Sequence, residues 1–488
     1  RIDPKRTIIF TFDGRRYSGH PGDTLASALL ANGLKLIARS FKYGRPRGIV
    51  GAGPEEPNAL VQLEVGEFTI PNVKATQVEL YEGLRASRTS GRPSLDFDFK
   101  ALLGIGGRFM PAGFYSKTFK WPARLWPTYE RLIRGFSGYG SAPQHHDTET
   151  YDHLHHHVDV LVIGAGLAGL VAARRAGAAG LRTLLVDEQS EPGGWLLSDP
   201  LQMLNEQAAG RWRADILSEL EILPNVTVLP RTTAFGLYDN NLVLALEQIQ
   251  DHVAPALRKP YLPRQRQHKI RASQVVLATG AIERPLVFGN NDRPGVMTMA
   301  AGLTYLNRYG VMVGKRILIV GADDSIYPAA AEFASKGAKV DLVDARIDAT
   351  AYRLPTGVTA YKSYTVARVL GTRRVKGALL RPLIEGAQKT DPVVGTGKPV
   401  QVLADAVLST AGLVPSVHLY CHDGGRPEWR DDLQAFVAPA SDHEGISCVG
   451  AVTGCFEPLQ LIAQTASTVD KVIHRLGGAK GKTMPPLP

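Results

Sequence analysis

The spacing of apolar and polar positions changes character twice along this chain of 488 residues. Over residues 7–94 the period is short. Thr7-Ile-Ile-Phe-Thr-Phe12 predicts a strand from its β-branched and aromatic content, Asp13-Gly14 is a hairpin turn signal, and Arg15-Arg-Tyr-Ser18 is the returning arm. Pro21-Gly-Asp-Thr24 then opens a helix that Asp23 or Thr24 would cap, and Gly33 is its expected stop. Further strands are predicted at 59–65 and 76–80. Residues 95–157 have no period and are rich in aromatic residues, Pro and Gly, among them Phe109, Phe114, Tyr115, Phe119, Trp121 and Trp126. A stretch of that kind rarely folds alone, and it reads as a wrapping connector or subunit-contact arm.

From Val158 onward, apolar strands alternate with Ala-rich helices, the pattern of a parallel α/β sheet. Residues 158–188 read strand, Gly-rich turn, helix, strand, and residues 315–344 repeat that order. Gln274-Val-Val-Leu-Ala-Thr-Gly280 and Ala406-Val-Leu-Ser-Thr-Ala-Gly412 are short strands that each end at Gly. The expected organisation is two dinucleotide-type units in tandem, the first resuming after the second.

Gly164-Ala165-Gly166-Leu167-Ala168-Gly169 follows the first strand directly and opens a helix. Gly164 permits the tight turn, Gly166 lets a pyrophosphate approach the backbone, and Gly169 allows close helix–strand packing. The helix N-terminus offers N–H groups and a partial positive charge to phosphates. Thr183-Leu-Leu-Val186 delivers Asp187, 18 residues after Gly169. A carboxylate there binds a ribose diol, which favours NAD or the adenosine half of FAD over NADP. Asp187 is preferred on spacing, with Glu188 and then Gln189 as neighbours in the same site. Glu191-Pro-Gly193-Gly194 reads equally as backbone approaching the cofactor or as a plain turn. Ala278-Thr279-Gly280 ends a strand expected to return to the same switch point.

The second unit departs from this pattern. It keeps Gly321, but Asp323 stands where the second Gly would be and Ile326 where the third would be. Asp323 and Asp324 are good helix caps, and their charge opposes a pyrophosphate, so the structural reading is preferred there. Near the C-terminus, 447–454 precedes an Ala-rich helix beginning at Leu459. In flavoproteins of this architecture the equivalent strand ends Gly-Asp, whereas Gly450 is followed here by Ala451. That favours NAD over FAD. No residues in the first unit form a flavin-reactive acid, base or dithiol set.

Composition adds exclusions. The chain is 44% hydrophobic and 21% charged, enough apolar content for about three domains with cores of their own. The net charge of +10 is spread along the length, so a solvated basic surface, or one that docks an acidic partner, is preferred over a nucleic-acid arm. Three cysteines, Cys421, Cys448 and Cys455, contain no C-x-x-C pair, which argues against a disulfide scaffold and against a dithiol centre. No signal peptide or membrane span is visible, and a cytoplasmic protein is expected. With Arg1 in place of Met, a trimmed or processed chain is expected. His145, His146, His153, His155, His156 and His157 are read as solvated loop residues in a linker rather than as metal ligands.

Several motifs resemble the α-subunit of the heterotetrameric sarcosine oxidase family. They are Ser40-Phe-Lys-Tyr-Gly-Arg-Pro-Arg-Gly48, Gly51-Ala-Gly-Pro-Glu-Glu-Pro-Asn-Ala-Leu60, Pro71-Asn-Val-Lys-Ala-Thr-Gln-Val-Glu-Leu-Tyr81, Pro111-Ala-Gly-Phe-Tyr-Ser-Lys-Thr-Phe119 and Gly280-Ala-Ile-Glu-Arg-Pro285. The resemblance implies a β-grasp, ferredoxin-like first domain. Cluster-binding relatives place four Cys at positions that fall here on Gly51, Glu56, Ala59 and Thr76. None is Cys, so no iron–sulfur cluster is expected. The resemblance further implies NAD in this chain, with FAD on a β-subunit and FMN at the interface. It also implies small γ- and δ-subunits and a secondary amine such as sarcosine as substrate. The folate-binding half of the usual α-subunit would begin near Pro488; whether it is cut off, a separate chain or absent is left open, so the folate role is not carried over.

The fold expected is therefore α/β, with two Rossmann-like dinucleotide-binding units of the disulfide-reductase type behind a cluster-free β-grasp domain. The expected boundaries are 1–94 for the β-grasp domain and 95–157 for the connector. The first dinucleotide unit takes 158–299 with 405–476, the second and degenerate one 300–404, and a tail 477–488. Alongside Gly164–Gly169, Asp187–Gln189, Gly193, Gly194 and Ala278–Gly280, the site is expected to include Gly450 and Leu459. The function expected is that of a subunit of a flavin-dependent amine oxidase or dehydrogenase, its catalytic residues on the partner. The alternative is an FAD-binding subunit of an opine, proline or N-methyl amino acid dehydrogenase. The amine, the electron acceptor and the redox role of the NAD are not readable from these residues.

Overall fold

The structure, a computed structural model, describes residues 2–104, 121–204, 206–347, 354–384, 393–440 and 444–478. Phe109, the 111–119 motif and residues 479–488 lie outside the described residues. The chain divides into two compact units, one of residues 1–148 with 285–411 and one of residues 149–284 with 412–488.

The N-terminal domain is a mixed sheet of β1 (Ile8–Phe12), β2 (Arg15–Gly19), β3 (Leu60–Leu63), β4 (Ile70–Lys74) and β5 (Arg85–Arg88), in the order β2-β1-β5-β3-β4. The β1–β5 pair is parallel and the others antiparallel, as in a β-grasp fold. Helix α1 (Leu25–Ala31) packs on the sheet with Leu25, Ala28 and Leu29 fully buried. Thr24 caps α1 in a capping box with Ser27, and Gly33 follows the helix at φ +79°. The segment 76–80 is not a sheet strand. Its neighbourhood is spent on the first turn of α1, since Ala75 and Val78 carbonyls accept from the N–H groups of Ala26 and Leu25. In the connector, α2 (Trp126–Phe136) leaves Trp126 and Leu132 exposed.

The next unit is built on a long parallel pair. β6 (Tyr151–Ile163) and β11 (Gln265–Leu277) run side by side over their whole 13-residue lengths. Around them lie α3 (Leu167–Ala178), β7 (Thr183–Val186), α4 (Ala209–Ile222), β8 (Val226–Leu229), β9 (Thr232–Tyr238) and β10 (Leu242–Gln248). The sheet order is β8-β7-β6-β11-β10-β9. Val160, Val162, Leu170, Ala173, Leu185 and Trp212 form its helix-side core, all fully buried. The histidines at 153–157 were expected in a loop and instead lie on β6. Their strand is held by the first half of β11, so His153, His155 and His157 stay exposed while His156 turns toward His268.

The inserted segment forms a second, wholly parallel sheet. Its elements are β12 (Val296–Thr298), α5 (Met299–Asn307), β13 (Arg316–Gly321), α6 (Ile326–Ser335), β14 (Lys339–Asp344), β15 (Val358–Lys362) and β16 (Ala406–Ser409). The order is β12-β16-β13-β14-β15. Residues 285–299 and 405–411, expected in the first dinucleotide unit, thus belong with the second. Lys35 donates to the Asp405 carbonyl at 2.8 Å, and Arg45 and Arg47 pair with Asp292, tying the β-grasp domain to this sheet. The chain ends with β17 (Ile446–Cys448), which pairs β11 in parallel, and α7 (Pro458–Arg475). No helix among the described residues is long and apolar enough to cross a membrane.

Candidate functional site

The turn between β6 and α3 owes its shape to what a side chain would strike. Gly164 sits at φ +99°, and a Cβ on it would come within 2.3 Å of the Ala278 carbonyl oxygen. A Cβ on Gly169 would lie 1.7 Å from the Gly164 carbonyl oxygen, so only glycine lets α3 begin this close to the strand. At Gly166 the same construction meets nothing within 4 Å. That is the open face of the turn. Among the described residues, the N–H groups of Gly166, Leu167 and Ala168 meet no protein acceptor, leaving the α3 N-terminus able to receive an anion.

The paired glycines close over this turn. Gly193 donates to the Ala165 carbonyl at 2.7 Å, and a Cβ on Gly194, at φ +55°, would come within 3.0 Å of the Gly166 Cα. These distances place the 193–194 backbone against the Gly-rich turn itself. Arg213 of α4 lies against Gly193 and bonds the Pro192 carbonyl through Nε. No spacing in the sequence pointed to Arg213, because it reaches the turn from a separate helix.

Asp187 is buried at the end of β7, and both its oxygens are engaged. Oδ2 accepts from the Ala165 N–H at 2.5 Å and Oδ1 from the Gln189 N–H at 2.7 Å. The acid predicted to hold ribose therefore also pins the Gly-rich turn. Glu188 is exposed and Gln189 half-buried. From β11, Ala278 donates to the Ile163 carbonyl at 2.9 Å and lines the turn, whereas the Thr279 hydroxyl turns away to the Ser416 carbonyl at 2.8 Å. Gly280, at φ +73°, continues that departing segment.

Gly450, at φ +77°, packs on the first turn of α3, where a Cβ would lie 2.7 Å from the Ala168 Cβ. Gln464, which the sequence reading missed, accepts from the Gly450 N–H at 3.1 Å and donates to Thr453 Oγ1 at 2.8 Å. The N-terminus of α7 is already occupied by a carboxylate. Glu457 accepts from the Leu459 and Gln460 N–H groups at 3.1 and 2.6 Å, so the exposed Leu459 has no backbone donor left for a ligand.

The second unit is filled by its own side chains. Asp344, in the place of a ribose-binding acid at the end of β14, is bonded by Arg346 and by the Tyr327 hydroxyl at 2.8 Å. Burial, followed by that hydrogen bond, pushes the Tyr327 hydroxyl up to about 12. A Cβ on Gly321 would strike Ile326 Cγ2 and Thr410 Cγ2 at 2.6 Å. Asp323 and Asp324 do not cap α6 as expected. Asp323 accepts from the Ser325 N–H at 2.9 Å and Asp324 pairs with Arg346 at 2.7 Å. The three cysteines are free thiols. Burial pushes the Cys448 thiol up to about 12, far from a reactive thiolate. Among the described residues no group of His, Cys, Asp or Glu is arranged to hold a metal ion.

Residues 158–469 match the pyridine nucleotide-disulphide oxidoreductase model, and residues 5–91 match a 2Fe-2S iron-sulfur cluster binding domain. The sarcosine oxidase subunit alpha of Rhizobium meliloti (strain 1021) is 44% identical over 98% of this chain and 47% of its own length. That of Corynebacterium sp. (strain U-96) is 35% identical over 99% of this chain and 45% of its own. The chain thus spans about half the length of these relatives. Among solved structures, L-proline dehydrogenase from P. horikoshii superposes with a TM-score of 0.64 at 17% identity, covering 97% of this chain and 74% of that one, a likeness of fold. A 2Fe-2S cluster needs thiolates, and the first cysteine in this sequence is Cys421. The matched residues 5–91 contain no cysteine, so the residues present do not fit a cluster.

Proposed function

The chain belongs to the pyridine nucleotide-disulphide oxidoreductase family, and from that premise we propose that it is the nucleotide-binding α-subunit of a multi-subunit oxidoreductase of the sarcosine oxidase type. The observation that carries this reading is the turn at 164–169, whose three glycines are each accounted for by a close approach or an open face. NAD is the nucleotide proposed. Its pyrophosphate would lie against the N–H groups of Gly166, Leu167 and Ala168, under Gly194. Two features favour NAD over FAD in this chain: Ala451 replaces the flavin-binding acid, and the Glu457 carboxylate occupies the α7 N-terminus.

NAD when bound supplies a hydride-accepting ring. What this chain's own residues do is positional. Asp187 fixes the turn, Gly193 and Gly194 bring a second backbone segment over it, and Gln464 holds the Gly450 strand end against α3. Amine oxidation is proposed to occur on a flavin carried by a partner subunit, with a second flavin at the interface, and the N-terminal domain to act as a cluster-free docking module. Sarcosine is the substrate proposed, on the 44% identity to the Rhizobium meliloti subunit.

Co-expression with candidate β-, γ- and δ-type partner subunits tests this. The purified complex is expected to reduce an artificial electron acceptor with sarcosine and not with L-proline or an opine. Activity with proline or an opine alone would replace the sarcosine assignment.

A further inference from the structure

Glu56 is completely buried in the irregular loop between α1 and β3, and among the described residues no cationic side chain pairs with it. Its carboxylate instead accepts four backbone N–H groups. Oε2 takes those of Val50 and Gly51, both at 2.7 Å, and Oε1 those of Asn58 and Ala59 at 2.7 and 3.0 Å. Only a group that accepts through both oxygens satisfies four donors aimed at one point. Burial pushes the carboxyl above its usual range, and the four N–H groups pull against that rise.

Gly51 and Ala59 fall at two of the positions where the family resemblance places cluster cysteines, and both donate to a third such position, Glu56. We propose that the Glu56 carboxylate is an internal anion standing in for an iron–sulfur cluster, closing the 50–59 loop around itself and making it a fixed support for α5 rather than an electron-transfer centre. The outer side of the same loop is already used. Thr298 donates to the Val50 carbonyl at 2.9 Å, and the buried Tyr305 hydroxyl donates to the Gly51 carbonyl at 2.9 Å. Burial, with Glu56 close by, pushes the Tyr305 hydroxyl well above its usual range, so it stays a donor. The loop therefore joins Glu56 on its inside to α5 on its outside.

Hydrogen exchange on the full chain tests this, together with Glu56→Gln. An amide nitrogen at one of the two oxygen positions would set two donors against two donors. In the wild type, the amides of Val50, Gly51, Asn58 and Ala59 are expected to exchange at least about tenfold slower than open loop amides. In E56Q they are expected to lose about tenfold of that protection while β3 and β5 keep theirs. Anaerobic incubation of the wild type with ferrous iron and sulfide is expected to leave no iron–sulfide absorbance. Free exchange in the wild type, unchanged protection in E56Q, or stoichiometric cluster uptake would each overturn the proposal. Should E56Q fail to fold, the two wild-type measurements still decide it.

Discussion

The Asp187 carboxylate lies 2.5 Å from the Ala165 N–H, so the acid at the end of one strand holds the Gly-rich turn at the end of its neighbour. Removing it affects the turn before any ribose is considered. Asp187→Ala is expected to lower the thermal stability of the ligand-free chain by about 1–3 kcal/mol, through two N–H groups left without acceptors, and to weaken nucleotide binding as well. Glu188→Gln, at an exposed position, is expected to leave stability within about 0.5 kcal/mol. Unfolding curves of the ligand-free proteins check this; unchanged stability in D187A would confine Asp187 to ligand contact.

Two glycines of the turn separate folding from binding. Gly169→Ala places a methyl group 1.7 Å from a backbone oxygen and is expected to destabilise by about 3 kcal/mol or more. Gly166→Ala meets nothing in the protein and is expected to fold normally while losing at least about tenfold in nucleotide affinity, because its methyl occupies the pyrophosphate's approach. Calorimetric titration with NAD on a G166A chain of unchanged melting temperature distinguishes the two effects.

These glycines were legible because their requirement is steric and local, and so was the Thr24 cap of α1. What was not legible depends on distant partners. The polar, His-rich 151–157 segment forms a strand only because 265–271 pairs with it. The strands 296–298 and 406–409 are buried on both faces, as strands of parallel sheets are, so no alternation in their pattern says which sheet they join. The spacing singled out Asp187 at the end of β7, but its N–H partners follow from the turn's folded shape.

His156 and His268 predict a pH dependence. Their ring nitrogens Nε2 and Nδ1 are 2.8 Å apart, and His268 Nε2 faces Glu247 at 3.0 Å, with Arg266 and His155 nearby. Burial, then His268, then Arg266 hold His156 below its ordinary 6.5. A folded-state value below the unfolded one means that the contribution is present above about pH 6.5 and is lost as pH falls through the lowered value. The wild-type melting temperature is expected to drop more steeply below pH 6.5 than that of His156→Asn; parallel curves would contradict it.

Asp292 holds Arg45 at 2.6 Å and Arg47 at 3.1 Å. Burial raises its carboxyl and the two arginines more than reverse that, leaving it below its ordinary value. Asp292→Asn is expected to destabilise the docking of the β-grasp domain by about 1–3 kcal/mol. A double variant with Arg45→Ala is expected to lose less than the sum of the single changes, because they remove one interaction. Additive losses would show that the pair is not coupled.

The central claim is that this chain holds NAD while flavin resides on its partners. The most direct test is to denature the purified chain, alone and in its co-purified complex, and to identify what is released by absorbance and mass. The account predicts NAD from the isolated chain and flavin only from the complex. FAD released by the isolated chain would contradict it, and would make this chain a flavoprotein subunit in its own right.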